Sequence, residues 1–247
     1  MNWQQEHFLY EKNHWWFKSR RNLLKNILEK VANSKRETVI DLGCGNGTNL
    51  KYLFNTYKKK IGIELDSSSF KNAKLLCPEA KILNFDLNEI ERVKEKFNLV
   101  SLLDVLYHES IINPKKFIQK VQKLNSIGDY LIISEPAFKL LSGNHSKFVN
   151  EKRRFRIEHL ESILSSFNYK ILFSSYWGFS TFLVLFIKRR LIEPLLYGKT
   201  KNLQSDLGGL SFLNRLLYYV MSIEIMLLKY FKYPFGSSIV ILAKKIK

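Results

Sequence analysis

The chain contains few cysteines: only Cys44 and Cys77 occur among its 247 residues. Two thiols supply neither a disulfide framework nor the ligand cluster of a metal site. We therefore expect no bound metal and a reducing, cytoplasmic environment. The first thirty residues carry charges throughout, so a signal peptide is not expected either.

Long uncharged runs are also scarce. One run of 17 residues extends from Ile171 to Ile187 and is followed by Lys188-Arg189-Arg190. As a helix it would span about 26 Å, which is short of the roughly 30 Å of a bilayer core. Its serines and Gly178 lower the hydropathy of the run, and its first residues are needed as a strand. The sequence therefore argues against a transmembrane helix.

Acidic residues are few: 22 of them face 40 lysines and arginines, giving a formal charge of +18. Such a surplus favours anionic partners, namely nucleic acid, a phospholipid surface or a phosphorylated substrate. Lysine is spread over the whole chain, however, so a merely lysine-rich composition explains the charge equally well.

A glycine-rich stretch, 39–49, reads VIDLGCGNGTN. A short apolar strand leads into Asp41 and three alternate glycines, and a helix is predicted over Asn49–Tyr57. Glycine lets the backbone adopt φ > 0 and lets a ligand touch the main chain, while the helix start offers unpaired N–H groups. The stretch predicts a ligand with a carboxylate or hydroxyls. The spacing differs from the G-x-G-x-x-G of dinucleotide sites.

DLGCGNG resembles the first motif of class I S-adenosylmethionine-dependent methyltransferases; the alternative is a glycine-rich turn of an ordinary α/β protein. The resemblance implies S-adenosyl-L-methionine as cofactor and S-adenosylhomocysteine as product. It implies that Asp41 helps to hold the methionine amino group. Methionine and ribose would lie on the backbone of Gly43, Cys44, Gly45 and Gly47, with Cys44 a small packing residue rather than a nucleophile.

A second acid follows the second predicted strand, Lys60–Ile63. Glu64 lies 21 residues beyond Gly43, a distance at which a carboxylate accepts both ribose hydroxyls. Leu65 is a plausible apolar wall for the adenine. Asp66 is better placed to cap the helix predicted over Ser67–Leu76.

Two further strand ends complete the predicted cofactor site. After a strand at Ala80–Leu83, the resemblance assigns Asp86 to the adenine amino group and Leu87 to the ring, with a helix N-cap as the alternative role for Asp86. After a strand at Leu99–Leu103, Leu103 and Asp104 would flank the reactive end of the cofactor.

An N-terminal arm, predicted as helical over Trp3–Val31, contains the segment HFLYEKNHWWFKSRRNLL. It resembles the H-W-W-F-x-x-R-R arm of a bacterial methyltransferase group. The apolar stripe of the helix, projected back, reaches Arg20 and Trp16. The resemblance implies that Trp16 closes over the cofactor and that Arg20 meets the methionine carboxylate. Alternatively, the tryptophans simply pack the arm onto the sheet.

Three residues are candidates for a general base: Glu135, His145 and His108. Glu135 is expected at a strand end, where it would interact with the acceptor. His145 lies in the long connection 135–155, which resembles the relatives' P-A-F-x-x-L-x-x-x-H-D…H-R-R-Y and is predicted to form a lid or a binding loop. The run 152–154 is either solvated or substrate-binding.

Alternating strands and helices predict an α/β fold: the class I methyltransferase Rossmann-like seven-stranded sheet, order 3-2-1-4-5-7-6. An apolar strand at Ser238–Ala243, inserted antiparallel, is expected to close it. We expect one methyltransferase domain over 1–247, with a helical arm (1–36), a core (37–179), a helical cap insertion (180–233) and the last strand (234–247).

These observations predict an S-adenosylmethionine-dependent methyltransferase that O-methylates a small molecule, a sugar or a lipid-linked glycan. The fourth strand is followed by LLDVLY and not by the N/D-P-P-Y/F signature of amino-group transfer to bases. An RNA methyltransferase is the alternative, as is a non-catalytic membrane-surface protein. The apolar helices before the last strand are interpreted first as a cap over the cleft and second as a surface for peripheral contact with the anionic inner face of the membrane. The oligomeric state stays open.

Overall fold

The structure is a computed structural model that describes residues 11–31, 37–192 and 211–247. The predicted start of the arm at Trp3, the remainder of 1–10, the end of the arm at 32–36 and the cap segment 193–210 lie outside the described residues.

Seven strands form one sheet in the order β3-β2-β1-β4-β5-β7-β6. The strands are β1 Thr38–Leu42, β2 Lys59–Ile63, β3 Lys81–Leu83, β4 Leu99–Leu103, β5 Tyr130–Pro136, β6 Tyr169–Trp177 and β7 Ser238–Lys245. The first five run parallel, and β7 pairs antiparallel with both β5 and β6. The predicted sheet order and the antiparallel last strand are confirmed.

Eight α-helices connect these strands in the described part of the chain. They are α1 Trp15–Glu29, α2 Thr48–Tyr52, α3 Ser67–Leu76, α4 Pro114–Val121, α5 Asn144–Phe148, α6 Ile157–Ser165, α7 Phe179–Ile187 and α8 Ser211–Leu227. Short 3₁₀ segments lie at Leu87–Arg92, Gln122–Leu124 and Lys139–Leu141, and a π-turn lies at Lys188–Ile192.

The central strands are buried on both faces. Val39, Ile40, Val100, Ile132 and Ile241 have at most 1% of their surface exposed. Such near-continuous apolar runs are typical of parallel strands covered by helices on both sides. Because β1 to β4 run in one direction, their carboxyl ends meet at one edge of the sheet, which is where ligands bind in open α/β sheets.

Several predicted boundaries differ from the structure. The helix after the glycine turn ends at Tyr52 and not at Tyr57, since the N–H groups of Leu53 and Phe54 both donate to the carbonyl of Asn49 and the fully buried Phe54 turns into the core. β7 continues beyond Ala243 to Lys245, and β5 continues beyond Glu135 to Pro136. At Pro136, β5 is still paired with Ser238 of β7, a long-range contact that no local pattern reveals.

The 17-residue uncharged run is divided between two elements. Its first part completes β6, and its second part is α7. Gly178 separates them with a φ of 73°, and a Cβ there would lie 2.3 Å from the Ser237 hydroxyl, so only glycine fits this turn. Within the described ranges, no helix has the length and hydropathy required to cross a bilayer.

Polar bonds fix the cap helices to the rest of the fold. The carboxylate of Glu224 on α8 is buried and accepts hydrogen bonds from the backbone N–H groups of Phe179 and Ser180 at the start of α7. Asn214 accepts from the Trp15 N–H at 2.6 Å and donates to the Asn13 carbonyl. The cap therefore lies beside α1, at the edge of the sheet where the strand ends converge.

Candidate functional site

A cleft of about 920 Å³ opens at the carboxyl ends of β1 to β4. It lies at the large end of ordinary small-molecule sites, which occupy about 300–1,000 Å³. Predicted cofactor residues that line it are Trp16, Arg20, Gly43, Cys44, Gly45, Glu64, Leu65, Asp86, Leu87, Leu103 and Asp104. Predicted residues from five separate segments thus meet in one place.

The glycine turn forms the floor of one end of the cleft. The N–H groups of Gly43 and Cys44 both donate to the Ile63 carbonyl at 2.9 Å, which ties the turn to the end of β2. Gly43 and Gly45 line the cleft, with φ of 73° and 54°. Cys44 is buried, and burial raises the pKa of its thiol, which suits the predicted packing role.

Gly47 lies outside the cleft lining, contrary to its predicted place beneath a ligand. A Cβ at Gly47 would lie 3.1 Å from Ala73, on α3. Its φ of 80° opens α2 in the left-handed region. Close packing between α2 and α3, together with this backbone conformation, is therefore what requires the third glycine.

Glu64 is held rigidly at the end of β2. Its carboxylate accepts from the Gly45 N–H at 2.9 Å and from the Asp66 N–H at 2.8 Å. Burial raises its pKa, while these backbone donors oppose the shift. Leu65 is 55% exposed beside it, and Asp66 caps α3 as predicted, accepting from the Ser69 N–H.

Asp41 is buried beneath the turn and does not line the cleft. Neither of its carboxylate oxygens has a hydrogen-bond partner among the described residues. Burial raises its pKa to about 7, opposed by the Arg20 charge and by the Ser101 hydroxyl, which lies close by without forming a hydrogen bond of standard geometry. Near neutral pH this buried carboxyl group is only partly ionised, and it lies behind the turn rather than in the cleft wall.

The arm contributes one member of a charged pair that lines the cleft. Arg20, on α1, forms an ion pair with Asp104, which follows β4 with a φ of 60°. The side chain of Arg20 is 5% exposed and that of Asp104 is 34% exposed, so the acid faces the cleft more openly. Trp16 lines the cleft and stacks on Trp177 with ring centroids 4.4 Å apart. Trp16 therefore both packs the arm onto the sheet and lines the cleft.

Glu11 is a site residue that the sequence reasoning missed. Its buried carboxylate accepts from the Thr48 hydroxyl and, at 3.1 Å, from the Asn46 side-chain amide, and it lines the cleft near Gly45. Its own carbonyl accepts from Arg21. The sequence shows an acid within the arm segment. No local pattern, however, indicates that this acid contacts a turn more than thirty residues away.

Asp86 and Leu87 line the cleft next to Glu64's neighbour Leu65. The Asp86 carboxylate accepts from the Asn88 N–H at 2.8 Å and caps the 3₁₀ segment that follows. The alternative capping role is thus confirmed, while its contact with an adenine stays a prediction.

Glu135 is placed differently from the expectation. It lies within β5 and not at its end, is fully buried, and does not line the cleft. Its carboxylate accepts from the backbone N–H groups of Val105, Leu106 and Tyr107. Because its oxygens are already engaged in this buried position, the geometry does not support contact with an acceptor. Glu135 instead holds the segment that follows β4.

The two histidines do line the cleft. The His108 Nδ1 accepts from the Ser110 N–H at 3.1 Å and lies 2.8 Å from its hydroxyl. Burial lowers the pKa of His108, which favours the neutral ring. With Nδ1 accepting, the neutral ring carries its proton on Nε2, so that nitrogen donates. His145 lies on α5, within the connection after β5.

The basic run 152–154 does not follow a single predicted alternative, because Lys152 is exposed whereas Arg154 lines the cleft. Arg153 donates to the carbonyls of Leu106, His108 and Ile111. Arg154 forms an ion pair with Glu151 at 2.7 Å, with both side chains at most 5% exposed. These arginines therefore fasten the connection over the segment that follows β4.

We expect the ligand-free protein to lose stability as pH rises from about 5 to about 8. The pKa values of Asp41 and Glu135, ordinarily 3.8 and 4.5, are raised by burial to about 7 and about 8. The folded state retains protons that the unfolded chain releases. This stabilisation is complete below the unfolded pKa values and is lost as pH passes the folded ones.

Chemical denaturation across this pH range measures the effect, at most about 1.4 kcal/mol per pH unit for each group. Asp41→Asn and Glu135→Gln cannot ionise, so each is expected to flatten the curve. Two variants with the wild-type slope would contradict the assignment.

Comparisons with a family model, with curated proteins and with solved structures all identify methyltransferases as similar proteins. The family model of the methyltransferase domain matches residues 33–173. Among curated proteins, 235L, a candidate methyltransferase of Invertebrate iridescent virus 6, is 29% identical over 128 residues, which are 51% of this chain and 46% of that protein. Ribosomal RNA small subunit methyltransferase A of Clostridium botulinum is 32% identical over 102 residues, 37% of this chain and 36% of that protein.

Thus the chain spans about half the length of the viral relative and about a third of the clostridial one. Among solved structures, an S-adenosylmethionine-dependent methyltransferase from Clostridium acetobutylicum ATCC 824 has a similar fold, with a TM-score of 0.61 at 16% identity. That similarity covers 93% of this chain and 92% of the other.

Proposed function

The chain belongs to the family of methyltransferase domains, and from this premise we propose that it transfers a methyl group from S-adenosyl-L-methionine to a hydroxyl of a small molecule, a sugar or a lipid-linked glycan. S-adenosyl-L-methionine is the cofactor that goes with this fold. The observation that carries the proposal is the cleft in which the glycine turn, Glu64 and the Arg20–Asp104 pair converge.

The residues present fit this cofactor. Its ribose offers two hydroxyls, and Glu64 is a fixed, cleft-lining carboxylate. Its methionine part is a zwitterion, which suits a neighbouring cation and anion, and Arg20 and Asp104 supply both. Asp41 lies beneath the turn and, when ionised, adds negative potential for the ammonium and the sulfonium.

When bound, the cofactor supplies an electrophilic methyl group on a sulfonium. The chain's own task is then to align donor and acceptor at about 3–3.5 Å and to exclude water, which can supply several kcal/mol. A hydroxyl acceptor also requires a base that removes its proton. Since the transfer extinguishes a positive charge, no large new charge needs to be stabilised.

His145 is the base that we favour. His108 presents a donating Nε2 when neutral, which suits orientation of the acceptor but not proton removal. Glu135 is enclosed among backbone donors. His145 lines the cleft beside Phe148 and Val149, on the connection that covers it.

Replacing His145 by glutamine is expected to lower kcat for a hydroxyl acceptor by about 10²–10⁴-fold, the usual contribution of a general base. Binding of S-adenosylhomocysteine, measured by calorimetry, should change little. His159→Gln is a matched control, because His159 is an exposed histidine of α6 outside the cleft lining. A variant with wild-type kcat would rule out His145.

The acceptor end of the cleft supports an amphiphilic acceptor. Val184, Leu185, Leu217 and Val220 of the cap line it. Lys188, the residue that follows α7, also lines the cleft. Apolar walls with nearby cations suit a molecule that combines an apolar part with an anionic one.

The RNA alternative has one specific observation in its favour, the relative named for ribosomal RNA methylation. The net charge of +18 also suits RNA. Against it, β4 is followed by Asp104-Val105-Leu106 where a base-amino methyltransferase would carry its proline-containing signature. A non-catalytic protein is the third possibility.

A radiolabelled-methyl assay against fractionated lipid, glycan and RNA pools distinguishes these functions. We expect label in a lipid or glycan fraction, as a methyl ether that resists mild alkaline hydrolysis; label released by that treatment would indicate a methyl ester and a carboxylate acceptor instead of a hydroxyl. Label only in RNA would replace the proposal by its alternative. Failure to bind S-adenosylhomocysteine in calorimetry would remove the enzyme interpretation altogether.

A further inference from the structure

The two cap helices expose apolar stripes instead of burying them. On α8, an outward stripe at helical spacing consists of Leu216, Tyr219, Val220, Ile223 and Met226, which are 38–57% exposed. The opposite face of α8 holds Met221, Ile225 and Leu228, which are buried. The exposed stripe therefore exists in addition to the face that packs on the body of the protein.

Helix α7 presents a second stripe of the same kind. Leu183, Val184, Phe186 and Ile187 are 40–62% exposed. The two helices are joined at Ser180, whose hydroxyl donates to Glu224 at 3.0 Å. Monomeric proteins seldom expose so many large apolar side chains together, and such surfaces usually mark an interaction site.

The charges around these stripes are of one sign. The exposed charged residues of the described segments 179–192 and 214–232 are Arg190, Arg215, Lys229 and Lys232. The sole carboxylate of those segments, Glu224, is buried and bonded to backbone N–H groups. The surface is thus apolar with a cationic border, which is complementary to an anionic surface with an apolar interior.

The stripes also reach the cleft. Val184 and Val220 are exposed to solvent, at 62% and 38%, and both line the cleft. A ligand that enters between α7 and α8 would pass directly from the apolar surface into the site. Nucleic acid would favour stacked aromatic platforms, whereas the α8 stripe is mainly aliphatic.

We propose that the α7–α8 face docks on an anionic lipid bilayer and receives the acceptor from it. The second half of this statement rests on the proposed methyl transfer, and it narrows the acceptor to a molecule with a lipid tail. The first half stands on the surface alone.

Flotation with phospholipid vesicles, in the absence of cofactor and acceptor, tests the surface. We expect the protein to float with phosphatidylcholine vesicles that contain phosphatidylglycerol, and about tenfold less with phosphatidylcholine alone. Added salt should reduce the binding without abolishing it, because the apolar stripes contribute besides the charges. Equal recovery with both kinds of vesicle, or none with either, would overturn the proposal.

A pair of double variants tests the location. Leu216→Asp with Ile223→Asp places two charges on the α8 stripe and is expected to reduce vesicle binding about tenfold or more. Leu75→Asp with Ile127→Asp adds the same charge at residues that are 82% and 74% exposed elsewhere, and should retain most of the binding. An equal loss in both would assign binding to overall charge and refute the proposal.

A second pair tests the cationic border. Lys229→Gln with Lys232→Gln should lower binding to anionic vesicles several-fold, while Lys115→Gln with Lys116→Gln, exposed on α4, should not.

Two other partners of this surface would overturn the proposal. One is a second copy of this chain, shown by a dimer that the α8 variant converts to a monomer in sedimentation. The other is RNA, shown by an RNA affinity that the α8 variant lowers while the wild type fails to bind vesicles.

Separate measurements keep the two proposals apart. Calorimetry with S-adenosylhomocysteine should give the same affinity for the wild type and the α8 variant, because neither Leu216 nor Ile223 lines the cleft. Vesicle binding without cofactor binding would remove the enzyme proposal and leave the docking surface. Cofactor binding and methyl transfer without vesicle binding would refute the docking surface and leave the enzyme proposal intact.

Discussion

Replacing Glu64 by leucine is expected to weaken the binding of S-adenosylhomocysteine by about 10²–10⁴-fold. Two hydrogen bonds from ribose hydroxyls to an ionised acceptor contribute about 1.5–3 kcal/mol each, and leucine removes both. The carboxylate is already positioned by the Gly45 and Asp66 N–H groups, so the ligand spends little free energy on ordering it. Calorimetry of the wild type and the variant measures the difference.

Two comparisons separate ribose recognition from damage to the turn. Glu64→Asp, one methylene shorter, keeps the charge and should stay within about tenfold of the wild type. Methylthioadenosine, which has the ribose but lacks the amino-acid part, should lose affinity for Glu64→Leu about as much as S-adenosylhomocysteine does. Unchanged affinity for both ligands in a folded Glu64→Leu variant would show that this acid does not hold the sugar.

Glu64 could be predicted from the sequence because its position depends on local rules. An apolar strand, an acid and a glycine turn fix the first βα unit, and the next strand end then carries the acid at a nearly constant distance. The sheet order could be predicted for a similar reason, since alternating strands and helices leave few right-handed topologies.

Two residues could not be assigned correctly from the sequence, because their positions depend on contacts between distant segments. Glu135 lies inside β5 because pairing with β7, about a hundred residues later, extends that strand to Pro136. Its carboxylate then becomes the acceptor for three backbone N–H groups after β4. Glu11 reaches Thr48 only once the arm is folded over the turn. Neither contact leaves a periodic trace in the chain.

The Arg20–Asp104 pair is a contact of the same long-range kind. Each residue was predicted separately to contact the cofactor, but their pairing across 84 positions was not. The pair explains why a cation and an anion both occur at this place in the cleft. Without ligand, the two charges neutralise each other. A bound zwitterion can then accept hydrogen bonds from Arg20 and donate them to Asp104. Arg20 would then be the residue that recognises the methionine carboxylate.

Replacing Arg20 by methionine is therefore expected to reduce the affinity for S-adenosylhomocysteine by about 10–150-fold, the value of one lost charge-assisted interaction of about 1.5–3 kcal/mol. Affinity for methylthioadenosine should change by less than about threefold, because that ligand has no carboxylate. The ratio of the two affinities is the readout, since a general loosening of the arm would weaken both ligands together.

The adjacent arginine supplies a matched control for this ratio. Arg21 donates to the carbonyls of Glu11 and Lys12 at 2.9 and 2.7 Å, which fixes the arm. Arg21→Met should lower the thermal midpoint and leave the ratio of affinities near the wild-type value, because it removes bonds within the arm. If Arg21→Met changes the ratio and Arg20→Met does not, the carboxylate is recognised by the other arginine, and the helical face that assigned Arg20 to the cleft has been misjudged.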